Sequence, residues 1–326
     1  MKNFSEKIWD ESEYNYAAAY GFIPEIHAYM HDDDQSRDCM LVIPGGGYCV
    51  CTPHEGELVA EEFYKRGMNA FVLTYTTDIT MSVPLKDQPL QDISRAVRFI
   101  KKRSEEYNIS GKKLIVCGFS AGAHVAGTLA VHYEEISDVN TAYSNISNRP
   151  DGVILSYPVI TAGELTHIYS IQTLLGKNPT QEELDYYSIE KQVKPSTPPC
   201  FIWQTEEDEL VPVENSYLMA EALHKARIPY AHYVFPKGFH GLSVANDDFF
   251  NGWSGGMYVM DQVFKAVEAV KAGKGVNVSD ERRAELEAQF PDDQEPNMPE
   301  GLPIDQSWRE DAGLWPSLAE AWIKRL

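Results

Sequence analysis

From residue 39 onward short, nearly continuous apolar runs alternate with amphipathic stretches of helical period, and this alternation constrains the fold more than any other feature. The runs are CMLVIP (39–44), NAFVLTY (69–75), KKLIVCG (112–118), GVILSYP (152–158), PCFIWQT (199–205) and YAHYVFP (230–236). Between them lie helix-like segments at about 55–66, 87–107, after 120, and 213–226. Apolar runs without polar alternation suit strands covered on both faces, and strand–helix–strand order demands right-handed crossovers. The expected fold class is therefore α/β, a mainly parallel sheet flanked by helices. A chain of 326 residues with 43% hydrophobic content fits one large domain with decorations. That domain is expected over 1–272. Two segments break its rhythm. Residues 160–198 mix Pro, Thr and Tyr with a short helical run near Glu182 to Tyr187 and read as a small cap. Residues 273–326 form a charged, Pro-bearing C-terminal extension that nonetheless carries Trp308, Trp315 and Trp322. Large aromatics are costly to leave in water, so part of it should dock, on its own domain or on a neighbouring copy in a homo-oligomer.

Chemistry concentrates where predicted strands end. Gly118-Phe119-Ser120-Ala121-Gly122 joins a buried strand to a helix, and flanking glycines let the chain turn sharply enough to lift the serine hydroxyl above the sheet. The helix beyond offers unpaired N–H groups to an anion. Pro44-Gly45-Gly46-Gly47-Tyr48 follows the first run; three glycines remove every side chain, so backbone N–H groups can approach a ligand closely. It lacks the spacing and the Lys of a phosphate loop, which favours an oxyanion hole. A serine hydroxyl needs a base, and the base an orienting carboxylate. His240 lies in the glycine-bounded loop Lys237-Gly238-Phe239-His240-Gly241 after the last strand; His124, on the elbow helix, is its rival, and His54 is a candidate for the pocket border. His224 on a helix and His232 inside a strand read as structural. Asp208 follows the strand 199–205 within Glu206-Glu207-Asp208-Glu209, which gives the order Ser, Asp, His found in α/β-hydrolases.

These motifs resemble bacterial acetyl esterases and acetyl-xylan-esterase-like proteins of the α/β-hydrolase superfamily. The matching residues are IPGGGY (43–48), HEGE (54–57), GFSAGAH (118–124), DELVPVENS (208–216) and FPKGFHGL (235–242), and the likeness spans about residues 20 to 270. It implies the triad Ser120, Asp208 and His240, with Asp208 singled out among its acidic neighbours by its spacing before Val211-Pro212, and backbone donors from Gly46, Gly47 and Ala121. Pro44 departs from the histidine of the related HGGG pattern, and Ala123 stands where a third glycine is expected. The implied activity is hydrolysis of short esters, acetyl on sugars or oligosaccharides, with no cofactor and no metal. Feruloyl or aryl esterase, arylformamidase-like amidase, small-peptide hydrolase and a catalytically silent binding module are the alternatives. Tyr48, Tyr157 and Trp203 are candidates for a sugar site, though their strand-flanking positions favour the core.

The charge balance narrows partners. With 28 Lys plus Arg against 49 Asp plus Glu, the net charge of −21 repels phosphate backbones and anionic membrane surfaces. No nucleic acid and no membrane partner is expected, only a small-molecule ester substrate. Five cysteines, Cys39, Cys49, Cys51, Cys117 and Cys200, are an odd number set mostly in apolar runs, and Cys49, Cys51 and His54 match no zinc spacing. An N-terminus without a continuous apolar stretch completes the expectation of a cytoplasmic protein.

Overall fold

A computed structural model describes residues 1–253, 255–292, 305 and 308–326. The apolar runs form β3 to β8 of an eight-stranded sheet: β1 (Lys2–Lys7), β2 (Glu25–Met30), β3 (Cys39–Ile43), β4 (Asn69–Thr74), β5 (Leu114–Phe119), β6 (Gly152–Ser156), β7 (Cys200–Thr205) and β8 (Tyr230–Phe235). The order across the sheet is β1-β2-β4-β3-β5-β6-β7-β8. β2 runs antiparallel to both β1 and β4, and the other pairings are parallel. Every residue of β3 to β7 is buried, which is why their sequences carry no polar alternation. Helices Glu57–Lys65, Ala121–His132 and Glu214–Ala226 pack against it, Gln88–Lys102 packs on Ala121–His132, and Asp261–Lys271 buries Val263, Ala266, Val267 and Val270 in the same core. This is the mainly parallel α/β architecture expected from the alternation, and the α/β-hydrolase fold implied by the motif resemblance.

Three elements depart from expectation. β1 and β2 precede the first run read as a strand; β1 is a polar edge strand, KNFSEK, whose residues are exposed or only half-buried, so its sequence lacks the signal of a covered strand. The helix expected over 87–107 stops at Lys102. Its continuation, Arg103-Ser104-Glu105-Glu106, has no apolar face, and the chain turns there to bury Tyr107.

The crossovers position the site. β3 leads through its helix to β4 on one side, whereas β5 leads through helix Ala121–His132 to β6 on the other. The crevice between the carboxyl ends of β3 and β5 is thus the topological switch point, the usual place for a ligand in an open α/β sheet. Residues 160–198 contribute three short helices, Ile168–Leu175, Gln181–Tyr186 and Ile189–Gln192. The first is tied down where the Lys86 amide and Nζ donate to the carbonyls of Leu174 (2.8 Å) and Leu175 (2.9 Å). Toward the C-terminus, helix Trp315–Ile323 packs on the sheet. Trp315 is fully buried and stacks on Trp203 at 5.2 Å, while its Nε1 donates to the Ser243 carbonyl at 2.8 Å. Trp322 meets Phe201, and Trp308 meets Phe239 edge-on at 5.4 Å.

Because Trp315 joins a closed aromatic cluster, Trp315→Ala should destabilise the fold by about 3–5 kcal/mol in denaturant titrations. A loss below about 1 kcal/mol would mean that the cluster re-forms without it.

Candidate active site

The site begins with a close approach of two backbones. β3 and β5 are in register at Ile43 and Gly118, which brings the glycine loop after β3 alongside Ser120 after β5. A Cβ on Gly45 would lie 2.6 Å from the Phe119 carbonyl oxygen and 2.9 Å from the Ser120 Cβ. One on Gly122 would lie 2.2 Å from the Ile43 carbonyl oxygen. Neither distance is compatible with a side chain, so glycine is required at both. Ser120 itself sits at φ 51° and ψ −118°, strained for a residue with a side chain and held by flanking structure.

Three of the residues named from sequence converge. His240 Nε2 lies 2.8 Å from Ser120 Oγ, and His240 Nδ1 lies 2.8 and 3.0 Å from the two Asp208 oxygens. Asp208 is held in turn: its Oδ1 accepts from the amides of Leu210 (3.0 Å) and Val211 (2.9 Å), and its Oδ2 accepts from Gln204 Nε2 (3.1 Å). Asp208 is buried, whereas Glu206, Glu207 and Glu209 are exposed. Glu209 accepts from the His240 amide at 3.3 Å. The arrangement suits proton transfer from serine to imidazole with a carboxylate fixing the ring.

Gly46 and Gly47, at φ 117° and 64°, line the cavity that also exposes Ser120, and Ala121 opens the elbow helix. The amide hydrogens of all three have no protein acceptor among the described residues. They are the donors available to an anion forming at Ser120.

His124 takes no part. It is fully buried, with Nδ1 accepting from the Tyr48 hydroxyl (2.7 Å) and Nε2 donating to the Tyr187 carbonyl (2.8 Å), and burial pushes its pKa down to about 4. His232 Nε2 pairs with Ser216 Oγ, and His224 is exposed on its helix. Tyr48, Tyr157 and Trp203 are buried in the core. The rings on the cavity, of about 500 Å³, are instead Tyr169, Phe239 and Phe249, with Leu210, His54 and His167 beside them. Burial, with His240 nearby, lowers the pKa of both His54 and His167, so both imidazoles are neutral donors or acceptors at neutral pH.

Glu55 is the functional residue least visible in the sequence. Its Oε2 accepts the Gly45 amide at 2.7 Å and its Oε1 accepts the Tyr157 hydroxyl at 2.7 Å, while the Tyr157 oxygen accepts the Ser243 amide at 3.1 Å. The Tyr157 ring stands edge-on to His240 at 4.9 Å. One buried carboxylate thereby links the glycine loop to the loop carrying His240. Its only sequence trace is the acid of His54-Glu55-Gly56-Glu57, which by itself reads as a helix-start acid.

Comparison with known proteins places the geometry in context. Residues 26–223 match the BD-FAE family. Over 270 residues, 83% of this chain, the sequence is 69% identical to endo-1,4-beta-xylanase B of Butyrivibrio fibrisolvens, of which that stretch is 42%. It is 28% identical over 249 residues, 74% of this chain, to an acetylxylan esterase of Xylanibacter ruminicola, of which that stretch is 46%. The chain thus spans less than half the length of these curated relatives. Among solved structures, the acetyl ester-xyloside bifunctional hydrolase from Caldicellulosiruptor lactoaceticus is similar with a TM-score of 0.70 and 33% identity, covering 84% of this chain and 97% of that one.

Removing Glu55 should misalign the glycine loop. Glu55→Ala leaves two buried donors without an acceptor, at about 1–3 kcal/mol each, and a shift of the loop amides by about 1 Å should lower kcat/KM on p-nitrophenyl acetate by about 10²-fold. Glu55→Gln keeps an oxygen for the Gly45 amide and should recover most of that loss. Parent-like kinetics in Glu55→Ala would remove Glu55 from the site.

Proposed function

The chain belongs to the BD-FAE family, and on that premise we propose that it is a serine carboxylesterase that removes short acyl groups, acetyl foremost, from sugars or oligosaccharides. The observation that carries the reading is the continuous relay from Ser120 Oγ through His240 to Asp208, 2.8 Å at each short link. Attack of Ser120 on the ester carbonyl transfers its proton to His240 Nε2, and the negative charge on the carbonyl oxygen falls among the Gly46, Gly47 and Ala121 amides. Collapse of the tetrahedral intermediate breaks the C–O bond, His240 returns the proton to the departing alcohol, and the acyl group stays on Ser120. Water, deprotonated by the same imidazole, then releases the acid and restores the hydroxyl. Asp208 orients the ring and stabilises the imidazolium in both halves.

The sugar reading is supported by the relatives, which are named an endo-1,4-beta-xylanase, an acetylxylan esterase and an acetyl ester-xyloside bifunctional hydrolase. A silent binding module has no use for an intact relay. A cytoplasmic place of action, on oligosaccharides already inside the cell, is consistent with five unpaired thiols. Among the described residues no helix is long and apolar enough to cross a membrane. One observation favours a second reading, an aryl-acyl esterase: Phe239 and Phe249 lie nearly parallel at 6.5 Å on the cavity wall, a surface an aromatic acid can contact.

A panel of p-nitrophenyl esters from acetyl to octanoyl, a cinnamoyl-type ester and acetylated xylo-oligosaccharides separates these readings. Acetyl esters should lead, and Ser120→Ala should lose turnover by about three orders of magnitude or more while remaining folded. A cinnamoyl-type or octanoyl ester outpacing acetyl tenfold in kcat/KM, about 1.4 kcal/mol of transition-state binding, would replace the acetyl assignment. Full activity in folded Ser120→Ala would end the serine mechanism.

A further inference from the structure

We propose that His167 and Tyr169, at the start of the first cap helix, form the subsite for the sugar ring that bears the ester. The inference rests on the esterase reading above and adds to it the residues that recognise the alcohol part. An acetyl group seated between Ser120 and the amides of Gly46 and Gly47 occupies little of a cavity of about 500 Å³, so most of that volume is left for the alcohol. His167 and Tyr169 line it together with Ser120 and His240, and a Cβ built on Gly47 would stand 3.7 Å from the His167 ring, beside the glycine loop.

The hydrogen-bond network defines what His167 offers. Its Nδ1 lies 2.8 Å from the Oγ of buried Ser170. That hydroxyl has no other acceptor among the described residues, so the arrangement that uses its proton is Oγ–H donating to Nδ1. The imidazole hydrogen then sits on Nε2, which has no protein partner among the described residues. The ring is thus a fixed, neutral donor facing the cavity, suited to a hydroxyl or ring oxygen. His167 occupies the N-cap of helix Ile168–Leu175, where Ser, Thr, Asp or Asn would accept a backbone N–H, and it makes no such cap bond.

Tyr169 supplies the complementary surface. Its side chain is 61% exposed, and its ring stands 5.9 Å from that of His167 at 59°. A donor and an aromatic face set at an angle match a pyranose, which presents hydroxyl oxygens around its edge and C–H groups on its faces. Leu210, 47% exposed on the same cavity, adds an apolar wall.

The test holds the acyl group constant and varies the alcohol. kcat/KM is measured on an acetylated xylo-oligosaccharide and on p-nitrophenyl acetate for the parent, His167→Ala, His167→Gln, Tyr169→Ala and Tyr169→Phe, with melting temperatures to confirm folding. The ratio of sugar acetate to p-nitrophenyl acetate should fall tenfold or more in both alanine variants. It should recover largely in His167→Gln, which keeps a donor, and in Tyr169→Phe, which keeps the ring. Equal losses on both substrates, or an unchanged ratio, would overturn the subsite. A parent that cleaves p-nitrophenyl acetate but no sugar acetate would overturn the sugar reading with it, and a parent inactive on both would overturn the esterase reading itself.

Discussion

Where β3 and β5 end, the two backbones come so close that Gly45 and Gly122 have no room for a Cβ. This contact decides where everything else in the site can be. It sets the glycine-loop amides beside Ser120, which sits in a strained conformation on the cavity wall. The parallel register of β3 with β5 fixes the spacing, and the opposite sense of their crossovers keeps the crevice open for a ligand. A methyl group at either glycine would push the loop and the elbow apart.

Two buried carboxylates then hold the surrounding loops to that contact. Asp208 takes hydrogen bonds from its own turn, from Gln204 and from His240, so it is locked before it orients the ring. Glu55 binds the glycine loop to Tyr157, and Tyr157 reaches the amide of Ser243, which follows His240 in the same loop. The Ser243 carbonyl is in turn held by Trp315 from the C-terminal helix. Residues from five separated stretches of sequence therefore fix the distance between hydroxyl, imidazole and amide donors, which is the preorganisation that acyl transfer requires.

Much of this is legible in the sequence, for a physical reason. Strands covered on both faces leave uninterrupted apolar runs, and Ser120 and Asp208 each follow such a run within a short loop, while His240 follows the largely apolar but half-exposed edge strand β8, so sequence alone can name residues that the structure brings within hydrogen-bond distance. β1 and β2 leave a weaker trace because β1 lies at the open edge with polar side chains. Glu55 is illegible for a different reason: its role depends on partners 10 and 102 residues away, and no local pattern encodes that meeting. His167 and Tyr169 are equally silent, since they come from an irregular segment whose sequence does not say which side chains border the cavity.

The central claim is that acyl transfer passes through Ser120, held by the close approach of two strand ends. Its most direct measurement is acid quenching during turnover of p-nitrophenyl acetate, followed by mass spectrometry of the digested protein. The expected result is one acetyl group on the peptide containing Ser120, with none there after Ser120→Ala. Acetyl found on another residue as the kinetically competent intermediate, with Ser120 unmodified throughout, would contradict it.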